Sequence, residues 1–446
     1  MGHGHAQTPT RDELVRLISN KPIPAIARQF GWAGVLIGLG LFVYGAATGE
    51  QRAWTALHMN WLFFTIIASA GVMFAAVQRI VTARWSRPVV RQIEGFVAFM
   101  PIAFIILLVM IFGAGDKVYT WWNLVGTPDL IDEKNIYFNH TFFYLRSILI
   151  FGGLTLLSLW YVYTSVRLDV GVTPEAGSSW AAGIRAKMRA GFGDERRELH
   201  STHSLQGVLA VILALVFGMG WPVLAWDHSM SLMYYFFSTM YGWQVFMGGW
   251  LAMLMTWSML SRWWRNHLGA QHLITESTFH DIGKLAFAFT AFWGYITFSQ
   301  FLVIWYANIG EETHFFRLRL MAPWKHITFS VMMLVFIVPF FGLLSKKAKT
   351  FTPTMSLFAV CSLVGIWLAR YTEIYPSVFL QTVEAAPLGI WEIALGFGML
   401  GAFILSYAAF MDAFPKMRVF LMTSPYRDEV QVPCDPKTME PLPAHE

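Results

Sequence analysis

The chain has only two cysteines in 446 residues, Cys361 and Cys434, and neither has a partner at the spacing of a metal or haem site. Such a chain carries no iron–sulfur cluster and no c-type haem of its own. If electrons pass here, another subunit must take them. Charged side chains are also scarce, 13% against 56% hydrophobic, which excludes a disordered chain and points to an integral membrane protein. Strict apolar–polar alternation is missing as well. Ile102–Phe112 and Val208–Val216 are unbroken apolar runs, so the spans read as helices rather than barrel strands. A signal-peptide pattern is absent, because the polar residues 1–29 precede the first span.

What fills the chain instead is a series of ten apolar stretches, each near the roughly 20 residues a helix needs to cross hydrocarbon. They lie at 30–48, 54–78, 93–114, 140–164, 203–225, 231–260, 283–307, 323–344, 352–371 and 388–411. Lys and Arg gather in alternate loops: Arg11 to Arg28, Arg79 to Arg91, Arg167 to Arg197, Arg262 and Arg265, Lys346 to Lys349, Lys416 and Arg418. The loops between are acidic or mixed, with Asp129, Asp132 and Glu133, Asp227, Glu311 and Glu312, Glu373 and Glu384. This bias places both termini in the cytoplasm. It also accounts for the net charge of +5, which is therefore no argument for nucleic acid. The expected organisation is a cytoplasmic segment 1–29, a membrane domain 30–411 and a cytoplasmic tail 412–446. The long loop 165–202 is cytoplasmic, with a short basic surface helix over Ser179–Arg189.

Spans two to five can be laid against spans six to nine. Span four opens with Asn139-His-Thr-Phe-Phe and span eight with Lys325-His-Ile-Thr-Phe; span two opens with His58-Met-Asn-Trp-Leu-Phe-Phe and span six with Asp227-His-Ser. The expected fold is all-α: two four-helix bundles, about 54–225 and 231–371, with spans one and ten outside. Chance similarity between aromatic-rich membrane helices explains the pairing equally well.

Polar groups at bilayer depth need a reason. At 100° per residue, Asp281, Lys284, Ala288, Tyr295, Ser299 and Tyr306 share one face of the seventh helix. Two readings stand. One is a proton half-path, entered at His280, flanked by Gln300 and ending on the carboxylates Glu311 and Glu373. The other is interhelical glue, with Asp281 and Lys284 as an i,i+3 ion pair. Oxidising a quinol needs acceptors for two protons and aromatic walls for the ring. His58, Asp227, His228, Arg370 and Glu373 are the candidate polar groups, and Trp61, Phe63, Phe64, Tyr234, Tyr235 and Phe301 the candidate walls. The competing reading is a set of solvated helix ends and an aromatic belt. A b-type haem needs two imidazoles at one depth; His58 with His140 is the one candidate pair, and both sit at helix mouths.

Several segments carry a family resemblance. They are His58-Met-Asn-Trp-Leu-Phe-Phe, Thr82-Ala-Arg-Trp-Ser-Arg-Pro, Phe138-Asn-His-Thr-Phe-Phe-Tyr-Leu-Arg, Arg370-Tyr-Thr-Glu-Ile-Tyr-Pro-Ser and, above all, the block from Phe279-His-Asp-Ile-Gly-Lys to Gly310-Glu-Glu-Thr. Together they resemble the F-type membrane subunit of alternative complex III, a bacterial quinol:cytochrome c oxidoreductase. The wider group is similar to the membrane anchor of polysulfide reductase. The resemblance implies a ten-helix subunit of the bacterial inner membrane that binds no redox group covalently and meets menaquinone or ubiquinone. It implies partners too: an iron–sulfur subunit, a related ten-helix C-type subunit, c-type haem subunits, small membrane subunits, lipids and, in some assemblies, a terminal oxidase. The C-type relative is the one expected to oxidise quinol. Rival readings are the anchor of a molybdopterin and iron–sulfur reductase, a secondary transporter and a purely structural scaffold.

Overall fold

The computed structural model describes residues 9–19, 21–128, 130, 132–379, 388–427 and 429–430. Asp129, Glu384, Cys434 and the tail beyond residue 430 lie outside the described residues. Among the described residues the chain is helical, with no strand. Ten long helices follow one another. They are α1 (Ala25–Ala47), α2 (Gln51–Ile80), α3 (Val90–Gly113), α4 (His140–Val172), α5 (Glu195–His228), α6 (Thr239–Leu268), α7 (Glu276–Ala307), α8 (Lys325–Gly342), α9 (Thr352–Val378) and α10 (Ile390–Ala413). Nine of them are long and apolar enough to cross a bilayer, which makes this a multi-pass membrane protein. The exception is α6, which is 30 residues long but diluted by Gly, Ser, Gln244, Arg262 and Arg265. It still joins the two ends of the molecule. Tyr241 near its start bonds Ser229 at the end of α5, and Arg262 near its finish reaches the backbone of Lys349 before α9. One end of the molecule collects Arg79, Arg91, Arg167 and Arg418 and is called the basic end; the other is the far end.

The polar ends of the helices outrun their apolar cores, and this corrects several boundaries. The loop expected over 165–202 shrinks to 173–194. Helix α4 continues to Val172 because Asp169 pairs with Arg91 and Arg167 pairs with Glu198. Helix α5 begins at Glu195 because the Asp194 carboxylate accepts from the Arg197 amide at 3.0 Å. The basic helix expected at Ser179–Arg189 is present as a 3₁₀ turn and a helix, Ala182–Arg189, packed against α4. Asp227 and His228 do not open the sixth span. They close the fifth, because α5 runs on through Pro222 and breaks only at Ser229, with φ −135°. That removes one of the two correspondences behind the expected duplication.

Helix α2 is buried over nearly its whole length. It packs on α1, α3, α4, α5, α6, α9 and α10. Helices α1 and α10 pair through facing glycines. A Cβ on Gly34 would sit 2.5 Å from the Phe397 carbonyl oxygen, and one on Gly401 would sit 2.4 Å from that of Gly31. Backbone contact of this kind supplies the dispersion that holds helices together in lipid. Gly34→Val should push the pair apart at a cost of about 1–3 kcal/mol, read as a lower thermal midpoint and lost disulfide cross-linking between cysteines placed on α1 and α10.

Candidate functional site

Two groups of polar side chains at the far end hold the expected pocket residues, and a third, in which Glu392 binds Arg52 and Tyr375, holds none of them. The first is built by α2, α4, α5 and the segment between α3 and α4. Asp227 is saturated: its carboxylate accepts from Arg146 at 2.8 and 2.6 Å and from the Tyr137 hydroxyl at 2.8 Å. Arg146 is itself clamped over the rings of Tyr137 and Phe142, at 4.0 and 4.4 Å. His228 is held at both nitrogens, Nδ1 2.6 Å from the Tyr119 hydroxyl and Nε2 3.2 Å from Ser147 Oγ. Burial, with Asp227 adding to it, pushes the Tyr119 phenol well above its ordinary range. The ring of His58 lies 5.9 Å from that of His228. Both His58 nitrogens are buried without a hydrogen-bond partner among the described residues.

The second group lies between α6, α7, α9 and the short helix Gly310–Leu320. Arg370 Nη2 pairs with Glu373 Oε1 at 2.9 Å, one turn apart on α9. Arg319 donates to the Glu373 carbonyl and to Ser377 Oγ, each at 2.8 Å, and lies 3.3 Å over the Phe315 ring. Burial pushes Arg319 down to about 10, so it remains a cation at neutral pH. A Cβ added at Gly248 would lie 3.3 Å from Arg370 Nη2, a tight contact that the guanidinium would have to relieve by a few tenths of an ångström. Two cations thus face one carboxylate. The second oxygen of that carboxylate, Oε2, and Arg370 Nη1 have no hydrogen-bond partner among the described residues. A cavity of about 100 Å³ reaches Glu373 and Arg319 between Tyr241, Trp293, Phe315 and Phe316, and is lined at one side by the exposed Leu320.

The five residues expected in one quinone pocket are therefore divided. His58, Asp227 and His228 form an enclosed cluster, and Arg370 and Glu373 form the group with a cavity. Asp227 cannot serve as a free acceptor, since Arg146 and Tyr137 occupy both its oxygens. Of the expected walls, Trp61 stands beside His228 at 5.2 Å, Phe64 packs toward α10 on Phe403, and Phe301 rests on Phe316 next to the cavity. The candidate haem pair is not assembled: His140 bonds the Trp122 carbonyl at 3.0 Å, while His58 faces His228.

The seventh-helix stripe also needs correction. Its residues do share a face, but the face points outward: Lys284 is 56% exposed along its side chain, Tyr295 62% and Tyr306 85%. His280, Asp281 and Ser299 are half-buried, and Glu311 is exposed. Helix α7 buries the opposite face, where Gly283 lies against Lys349 and Gly294 against Phe336. Of the expected path only Gln300 and Glu373 are interior, and Gln300 Nε2 is 3.3 Å from Ser238 Oγ. Asp281 and Lys284 form the i,i+3 pair, at 2.8 Å. The stripe itself does not run through the interior. Asp281→Asn should cost no more than about 0.5 kcal/mol and leave the thermal midpoint within about a degree or two.

Sequence reasoning does not reach Tyr119, Tyr137, Ser147 or Arg319. Nor does it reach a buried ionic network at the basic end, where Arg91 joins Glu94 and Asp169, and Arg418 joins Glu94. No group of three or more metal-ligating side chains occurs among the described residues. No family model and no curated protein matches the chain.

Proposed function

We propose that this chain is a membrane subunit of a bacterial quinol-oxidising complex of the alternative complex III type and that it holds a quinol-oxidising pocket of its own, in place of the expectation that the C-type relative alone oxidises quinol. It sits in the inner membrane with both termini cytoplasmic. Its ten helices form two four-helix bundles, α2–α5 and α6–α9, with α1 and α10 outside. The observation that carries this reading is an aromatic-walled cavity lined by Glu373 and Arg319, together with a buried Glu373 oxygen that has no hydrogen-bond partner among the described residues. A quinol hydroxyl needs a base within hydrogen-bond reach, and a flat ring needs apolar faces. Here the Glu373 carboxylate takes the quinol's two protons in turn, passing on the first before the second arrives, the guanidiniums of Arg319 and Arg370 supply the opposing charge, and Trp293, Phe315 and Phe316 bracket the ring. The electrons leave to an iron–sulfur subunit, since this chain has no cysteines at the spacing of a cluster or a c-type haem.

The outward polar face of α7 supports membership in an assembly. Lipid offers nothing to Asp281, Lys284, Tyr295 or Ser299, whereas a second membrane subunit does. A molybdopterin reductase anchor would share these features. A secondary transporter would place its broken helices at matching positions of the two halves. Among the described residues the irregular turns within spans are Gly95–Phe99 in α3 and Met333–Ile337 in α8, which the proposed two-bundle arrangement does not pair. Purification from the native membrane in mild detergent separates the readings. Co-purifying subunits with cluster-ligating cysteines and haem-attachment motifs support the proposal. Molybdenum in the preparation, or a chain that comes away alone, overturns it.

A further inference from the structure

We infer that a cavity at the basic end binds the phosphate of an anionic phospholipid. The cavity measures about 440 Å³ and lies between the start of α1, the end of α4, the end of α10 and the strap 174–189. Arg28, Arg185, Arg189 and Lys416 line it, with Asp412 and Ser178. Arg185 is nearly fully buried and is fixed by donation to the Ser178 and Ala413 carbonyls, both at 3.0 Å. Lys416 is also buried. Its ammonium donates to the Ile18 carbonyl at 3.2 Å and has no carboxylate at ion-pair distance among the described residues. Four cations meet two carboxylates, Asp412 paired with Arg28 and the half-exposed Glu175 shared by Arg185 and Arg189. Counted over the described residues, the site is therefore positively charged. Burial pulls Lys416 below the ordinary lysine range, with Asp412 opposing the shift; an anion alongside would relieve that burial.

The surroundings favour a lipid over a free phosphate. On the strap itself Trp180 and Ile184, one turn apart, are 58% and 41% exposed, next to the buried Arg185. An exposed Trp and an aliphatic residue on a short basic helix form an element that rests in the headgroup layer. Basic pockets between spans at this depth take phosphate headgroups. The phosphodiester would sit among Arg28, Arg189 and Lys416 while the acyl chains leave past Trp180 and Ile184 of the strap.

The test uses the full-length protein, delipidated in detergent. Phosphatidylglycerol should raise its thermal midpoint by several degrees, clearly more than phosphatidylcholine or inorganic phosphate does. The double variant Arg28→Gln/Arg189→Gln should lose most of that rise. An equal rise with phosphatidylcholine overturns the anion preference, and an equal rise with inorganic phosphate overturns the lipid. Should the variant fail to fold, a phosphatidylglycerol with a photoactivatable headgroup decides on the unaltered protein. Adducts concentrated in 173–189 and 412–416 uphold the site, and adducts spread over all span ends overturn it.

Discussion

Replacing Glu373 by Gln should lower quinol oxidation by the assembled complex about 10²–10⁴-fold, the range general-base catalysis supplies. The amide keeps the shape of the side chain but cannot accept and hold a proton at neutral pH. Arg319 should stay in place, because it bonds the Glu373 backbone carbonyl and the Ser377 hydroxyl one turn further along α9, rather than the carboxylate. Arg370 is different, since its ion-pair partner at 2.9 Å is the carboxylate itself. Leaving that guanidinium buried and unpaired costs about 3–5 kcal/mol, so a lower thermal midpoint should accompany the kinetic loss. Glu373→Asp separates the two effects. It restores the charge and with it most of the stability, while a carboxylate one methylene shorter reaches the cavity poorly and recovers little turnover. Normal turnover in Glu373→Gln, measured on complex shown to be intact, would remove Glu373 from the chemistry.

Arg418→Ala should give the largest loss of stability. Glu94 is fully buried between Arg91, at 2.7 Å, and Arg418, and Asp169 both pairs with Arg91 and accepts from the Phe420 amide at 2.8 Å. Burial alone would lower Arg418, but Glu94 beside it outweighs burial and raises it, so the side chain is a cation at every accessible pH. Its removal leaves a buried network with an excess negative charge, a change that costs about 3–5 kcal/mol. The contact also ties the segment after α10 to α3 and α4. Limited proteolysis should therefore cut near Val419–Thr423 in the variant and not in the parent. Retained protection there, with an unchanged thermal midpoint, would show that the network is not what holds this segment.

The helices are legible in the sequence because lipid-facing apolar runs leave an unmistakable pattern, and only their polar ends escape it. Asp169 and Glu198 look like loop residues, yet arginines on neighbouring helices keep them inside helical turns. The stripe on α7 is grouped correctly by its period but aimed wrongly. Period alone says which residues share a face; it does not say which face meets the protein, and here the glycines Gly283 and Gly294 decide that. The His58, Asp227 and His228 group is legible as a cluster of polar groups at one depth. Arg319 is not, because its partner lies 54 residues away on another helix and nothing local separates it from Arg317.

The most direct measurement is photolabelling of the native complex with an azido-quinone, followed by peptide mapping. Label should appear in Gly310–Leu320 and in the last turns of α9, around Arg370 to Ser377, and should vanish with excess unlabelled quinone. Displaceable label confined to a partner subunit, with none on these two segments, would contradict quinone binding in this chain.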